Sequence, residues 1–450
     1  MAMATMEEIP QSPEAKLGMR VEDLWDVQEA QLSPTEKLNA CFESIPVSAF
    51  PLDPSNTEIE IKSDATLADA VKILAGHNVF SAPVVDVEAP EDASWIDRYI
   101  GIVEFAGIVV WILHQSEPTS PRTPSTPSSA RAIAAAANGA AFALELEALG
   151  LGSAATTAGN FFEDLTSSEL YKNTKVRDIS GTFRWAPFLA LERSNSFLTM
   201  LLLLSKYKMK SVPVLDLGSG AIDNIITQSA VIHMLAECAG LQWFESWGTK
   251  KLSEVGLPLV TGNQIIKLNQ SYKSSIFIHN GKCSELGEVY YFIFPLQVYE
   301  DEPVLQAFKV MRKKRVGGVP VIERETKKAV GNISLRDVQF LLTAPEIYHD
   351  YRGITVKDFL TEVRSYLEKN KNASPMLNEY VTCKKDCTIK ELIQLLDQEK
   401  IHRVYVVDDD GDLQGLITLR DIISRLVHEP RGYFGDFFDG VLPLPANSRV

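Results

Sequence analysis

A chain of 450 residues with 45% apolar side chains can bury a sizeable core and has room for more than one compact unit. Its 44 Lys and Arg against 59 Asp and Glu leave a net charge of −15, which repels phosphate backbones and anionic lipid and argues against a nucleic-acid partner or a membrane surface. Five scattered cysteines, an odd number, fit a reducing compartment better than a disulfide framework, and the apolar runs 100–113 and 197–204 are too short to span a bilayer, so cytoplasm or nucleus is expected.

Residues 1–44 are polar and acidic with one amphipathic stretch near 21–27, and read as a mobile arm carrying a docking helix. A first α/β unit follows at 45–115. Residues 116–159 begin SEPTSPRTPSTPSSA and continue Ala/Gly-rich, the composition of an unfolded linker. The pairs Ser120-Pro121, Thr123-Pro124 and Thr126-Pro127 are either plain spacer or acceptors for proline-directed kinases. Further units are expected at 174–240, 257–345 and 354–430, before a tail at 431–450. Within the third, residues 268–297 look inserted, as a loose loop or hairpin, because removing them restores the spacing of the others. In the tail, Tyr433, Phe434, Phe437 and Phe438 suit either a partner surface or a fold back onto the core.

The four units repeat one pattern. NVFSAPVVD (78–86), KMKSVPVLD (208–216), RVGGVPVIE (315–323) and KIHRVYVVD (400–408) each place a marker residue (Pro83, Pro213, Pro320, Tyr405) 17 positions after a helix start at Thr66, Ser196, Pro303 or Thr388. Two residues before each start stands a capping type, Asp64, Ser194, Asp301 or Asp386. Short Val/Ile-rich strands between helices indicate α/β units with small sheets, and a spacing kept four times indicates an internal repeat.

Downstream of the marker in the last two units come GNISLRD (331–337) and GLITLRD (415–421). Each ends a strand with a hydroxyl, Ser334 or Thr418, and places an aspartate three residues on, Asp337 or Asp421. Two readings stand: the pair caps the next helix, or the carboxylate accepts both hydroxyls of a ribose, which requires two rigid acceptor oxygens. Cys383 and Cys387 have no second Cys/His pair nearby to complete a zinc site, and no metal is expected. The aromatic cluster Trp243, Phe244 and Trp247 reads as core, and His233, His279, His349 and His428 have no partner at ligand spacing. No P-loop, nucleophile-elbow or zincin string occurs.

Four tandem units of capped helix, V-P-V strand and G-x-I-[ST]-x-x-D resemble cystathionine β-synthase (CBS) domains, and their arrangement over residues 45–430 resembles the γ-type regulatory subunits of the AMP-activated/sucrose-nonfermenting protein kinase family in their plant form. The resemblance implies two paired (Bateman) modules and a non-catalytic subunit. Its expected partners are an α-type catalytic and a β-type subunit, and its expected ligand an adenine nucleotide (AMP, ADP or ATP) in place of any cofactor. It further implies that Asp337 and Asp421 hold ribose beside Ser334 and Thr418 and that His402 and Arg403 face phosphate. Lys210, aligned with His402, is a weaker phosphate candidate, and Thr382 is placed near the base. The first two units depart from the motif, with Glu104 and Gly107 in one and Thr227 and Ala230 in the other. The third has Gly317 and Gly318 where the fourth has His402 and Arg403. A CBS scaffold binding protein partners without nucleotide is the alternative, whereas a CBS-controlled enzyme needs a catalytic domain for which no stretch is left.

Overall fold

A computed structural model describes residues 12–105, 107–108, 111, 169–179, 189–261, 297–344, 347 and 353–435, with short interruptions at 30, 53–58, 78, 91–92, 208, 219, 259, 315, 372–373 and 378–379. The linker 116–159, nearly all of the insert 268–297, and Phe437 and Phe438 lie outside the described residues.

Labelling helices of seven or more residues, the chain opens with α1 (Pro13–Asp26) and α2 (Pro34–Glu43). Ser12 and Ser33 cap them, each followed by a proline in the first turn, where its missing N–H costs nothing. The expected mobile arm is therefore corrected over this stretch. Leu17, Val21 and Trp25 of α1 and Leu38, Cys41 and Phe42 of α2 are buried in the larger core. The indole Nε1 of Trp243 donates to the carbonyl of Gly18 at 3.0 Å. The amphipathic signal near 21–27 reports docking onto the chain's own body.

The first unit contains β1 (Ile61–Lys62), α3 (Leu67–Gly76), β2 (Ser81–Val85) and β3 (Tyr99–Glu104). The second has β4 (Leu191–Glu192), α4 (Phe197–Ser205), β5 (Ser211–Asp216), β6 (Ala221–Thr227), α5 (Gln228–Glu237) and α6 (Gln242–Gly248). After β7 (Val260–Thr261), the third has β8 (Val298–Tyr299), α7 (Val304–Lys314), β9 (Gly318–Ile322) and β10 (Ala329–Ser334). The fourth follows α8 (Val356–Lys369) with β11 (Thr382–Cys383), α9 (Ile389–Gln398), β12 (Arg403–Val407), β13 (Leu413–Thr418) and α10 (Leu419–Leu426).

All four sheets share one topology. A two-residue strand runs parallel to the central strand, which pairs antiparallel with the third, and each antiparallel pair carries one register shift. The fourfold repeat read from spacing is thus a repeat of hydrogen-bond register. β7, assigned by position to the third unit, instead extends the fourth unit's sheet along β13. The caps also differ from expectation. The helix-start residues themselves accept the N-terminal N–H groups, Thr66 from Asp69, Ser196 from Thr199 and Thr388 from Glu391, whereas Asp301 binds Arg324. A β-region residue whose hydroxyl reaches back to the N3 amide is the geometry a cap needs, and two residues earlier is too far.

Two kinds of contact join the units. Sheet faces pack first on second (Tyr99, Leu215, Ile222) and third on fourth (Ile322, Tyr405, Leu416). Helices pack second with fourth around Leu201, Leu235, Leu392 and Ile423, and first with third around Leu67, Val71, Phe308 and Leu341. α4, apolar but for Thr199 and Ser205, is buried on every side, as such a helix must be. The tail turns back onto this core: Phe434 is buried edge-on to Tyr207 at 4.7 Å, and the hydroxyl of Tyr433 lies 2.9 Å from those of Ser196 and Thr199. Trp243, Phe244 and Trp247 are core, as expected.

Candidate functional site

Where the four units meet, a cavity of about 430 Å³ opens, within the range of small-molecule sites, roughly 300–1,000 Å³. It is lined by residues of every unit, among them Phe80 and Glu104 of the first, Lys210 of the second, Asp337 of the third and Asp421 of the fourth. The repeat explains this convergence. The last residue of each third strand pairs with the first of each central strand, Ser81 with Glu104, Ser211 with Thr227, Gly318 with Ser334 and Arg403 with Thr418, so the motif residues end at one edge of each sheet.

Both aspartates are buried, 1% exposed for Asp337 and 4% for Asp421. Oδ2 of Asp421 accepts the amide of Thr418 at 2.8 Å and its hydroxyl at 2.7 Å, and Oγ1 of Thr418 accepts the Asp421 amide at 3.3 Å. Ser334 donates its amide and hydroxyl to Oδ2 of Asp337 at 2.6 and 3.0 Å. The two sequence readings are therefore compatible at Asp421, whose capping box with Thr418 uses one carboxylate oxygen; Asp337 likewise spends one oxygen on Ser334, but the 3-10 turn Asp337–Gln339 has no side-chain cap. Among the described residues Oδ1 accepts no hydrogen bond on either, and its nearest cation at Asp421 is Arg420 Nη2 at 4.0 Å. Burial pushes the Asp337 carboxyl up to about 6, against the bonds from Ser334 and the charges of Arg336 and Arg403.

Cations line the same cavity. Arg403 points a buried Nη1 that has no hydrogen-bond partner among the described residues. Arg336 lies over the ring of Phe80 at 4.5 Å, and burial lowers its guanidinium from the ordinary value, with Arg403 adding to the effect. His402 presents accessible surface to the cavity, yet the protein packed around it, then Arg336, Arg403 and Lys210, push its imidazole down to about 3. It is neutral at physiological pH and lies 3.2 Å from the Ser229 hydroxyl. Lys210 also lines the cavity, with Nζ 2.8 Å from Oε2 of Glu104. An unpaired buried guanidinium nitrogen is costly, and a phosphate oxygen is the partner its fork fits.

Seven of the eight residues singled out from sequence, Asp337, Asp421, Ser334, Thr418, His402, Arg403 and Lys210, line this one cavity. Thr382 does not: its strand holds it beside Tyr405, and its neighbours Tyr380 and Val381 face the cavity instead. Tyr380 stacks on Tyr405 at 5.0 Å, and its buried hydroxyl has no partner among the described residues. Sequence reasoning missed Arg336 and Arg420, although each immediately precedes its aspartate in the L-R-D strings, and missed Glu104 as a partner of Lys210. His233, read as partnerless, has Nδ1 3.0 Å from Asp397 across the second and fourth units, beside a neighbouring cavity of about 440 Å³. Among the described residues no His/Cys/Asp/Glu cluster fits a metal and no helix is long and apolar enough to cross a membrane.

Four units of one topology around a cation-lined, aspartate-edged cavity define a tandem CBS-repeat protein. A family model described as "CBS domain" matches residues 294–343 and 373–428, the third and fourth units. The chain is 66% identical over 440 residues to the SNF1-related protein kinase regulatory subunit gamma-1 of Arabidopsis thaliana, covering 98% of this chain and 95% of that one. It is 36% identical to the gamma-1-like regulatory subunit of the same organism, over 89% of each chain. Against the 5'-AMP-activated protein kinase subunit gamma-3 of Sus scrofa it is 24% identical, over 56% of this chain and 40% of that one. The chain belongs to the family of gamma regulatory subunits of SNF1-related protein kinases.

Proposed function

We propose that this chain is the non-catalytic γ-type subunit of a heterotrimeric Ser/Thr protein kinase of the energy- and carbon-sensing class, that it assembles with an α-type catalytic and a β-type subunit in cytoplasm or nucleus, and that an adenine nucleotide occupies its central cavity. The observation that carries the ligand assignment is the pair of buried aspartates, each with one carboxylate oxygen not used by its Ser334 or Thr418 neighbour, lining the same cavity as Arg403, whose buried Nη1 has no partner among the described residues. Oδ1 of Asp337 or Asp421 would accept ribose hydroxyls, and Arg403 with Arg336 would take phosphate oxygens. Neutral His402 adds a hydrogen-bonding group without a charge.

The ligand's effect on the kinase follows from its preference between two arrangements of the units, since it draws on residues of all four. Calorimetric titration of the purified chain with AMP, ADP and ATP tests the ligand, and co-purification with α- and β-type subunits tests the assembly. Assembly without detectable nucleotide binding would leave the scaffold reading.

A further inference from the structure

The first unit has not lost the carboxylate of the repeat but moved it. Glu104 occupies the register position held by Thr227, Ser334 and Thr418 in the other units, and Gly107 stands where the aspartate would be. From the strand end its carboxylate reaches into the cavity and binds Lys210 of the second unit at 2.8 Å. Lys210 in turn acts on the His402 ring, so this ion pair lies on the cationic side of the cavity.

The charges lining the cavity can be read directly. Among the described residues, Lys210, Arg336, Arg364, Arg403 and Arg420 line it with Glu104, Asp337 and Asp421, an excess of two positive charges with His402 neutral. A phosphate monoester carries about −1.5 to −2 at neutral pH. Nucleoside di- and triphosphates carry more, and each added charge meets Glu104 instead of a free lysine.

We propose that Glu104 is a specificity-determining residue: paired with Lys210, it holds the positive excess of the cavity at the level of a nucleoside monophosphate and disfavours di- and triphosphates. This rests on the nucleotide assignment above. The ion pair is part-exposed, with side-chain exposures of 62% for Lys210 and 32% for Glu104, so it stays wet enough to be removed without leaving a buried charge.

The test is calorimetric titration of the full chain with magnesium-free AMP, ADP and ATP, in wild type and in Glu104→Gln, an isosteric change. ATP is expected to tighten by about tenfold and AMP by less than about threefold, since the added attraction scales with ligand charge. Lys210→Met should act in reverse, weakening ATP more than AMP, and decides the matter alone if Glu104→Gln does not fold. Glu88→Gln removes one charge from the exposed pair with Arg177, outside the cavity, and should leave the AMP-to-ATP ratio unchanged. An unaltered ratio in both cavity variants, with AMP still bound by the wild type, overturns the role of Glu104 and leaves the nucleotide assignment standing. A wild type that binds none of the three overturns both.

Discussion

A Cβ placed on Gly318 would lie 1.2 Å from Nη1 of Arg403. The guanidinium of the fourth unit fills space that the third leaves open by having no side chain there. The two glycines at 317 and 318, which in sequence look like missing phosphate ligands, are what admits the ligand of the neighbouring unit. Gly318→Ala is therefore expected to expel the guanidinium and lower nucleotide affinity about as much as Arg403→Ala, at least tenfold. The same Cβ would come within 2.9 Å of the carbonyl oxygen of Ile333, so the sheet must also shift, at about 1–3 kcal/mol. Titration calorimetry reads the first effect and a thermal melt the second.

Asp337→Ala and Asp421→Ala should each weaken adenine nucleotide binding by an order of magnitude or more. Asp421→Ala also removes the acceptor of the Thr418 amide in the capping box of α10, for a loss of about 1 kcal/mol. Gly107→Ala is the control: among the described residues no atom lies within 4 Å of a Cβ built there, and affinity should be unchanged. Unaltered binding in all three variants would remove the carboxylates from the site.

Asp337 makes binding pH-dependent. Its carboxyl titrates at about 6 in the folded chain, and only the ionised form accepts ribose hydroxyls without giving a proton, so affinity should decline as pH falls from 7.5 to 5. Stability without ligand runs the other way. The folded carboxyl keeps its proton to about pH 6 while the unfolded one releases it near 3.8, so this group's contribution falls as pH rises through that window and is constant above it. His402, pushed down to about 3 by the protein packed around it and by Arg336, Arg403 and Lys210, works oppositely, the unfolded chain taking up its proton as pH falls below about 6.5. The difference in melting temperature between wild type and Asp337→Asn across pH 4.5–7.5 isolates the aspartate, and a flat difference would contradict its burial as the cause.

Gly18 is where α1 touches the second unit. A Cβ there would sit 2.4 Å from Sγ of Cys238 and 2.9 Å from Cδ1 of Leu241. Gly18→Ala should destabilise by about 1–3 kcal/mol despite alanine's higher helix propensity, read as a lowered denaturation midpoint. If α1 were a free arm, the change would be neutral or slightly stabilising.

What the sequence made legible was whatever is local. The 17-residue spacing from helix start to marker sets helix, turn and strand within one unit, and the hydroxyl–aspartate spacing sets a local hydrogen-bonded pair, so both survived translation into structure. Pairings that build the cavity join distant residues, as in Tyr405 with Asn332, 73 positions apart, or Lys210 with Glu104, 106 apart. No period reveals those. The amphipathic stretch of α1 announced an apolar face but not its partner, since a face made for the chain's own core and one made for another protein have the same composition. Thr382 failed for a related reason: its pairing beside Tyr405 is a tertiary contact, and a two-residue strand carries no local pattern that shows it.

Because each unit is gripped through its sheet by one neighbour and through its helices by another, neither half of the polypeptide has a complete interior of its own. A protease nick between 262 and 296 would sever the backbone without releasing either fragment, each needing the other to cover its apolar helices. Anything seated in the middle touches both fragments at once and acts as a rivet across the break.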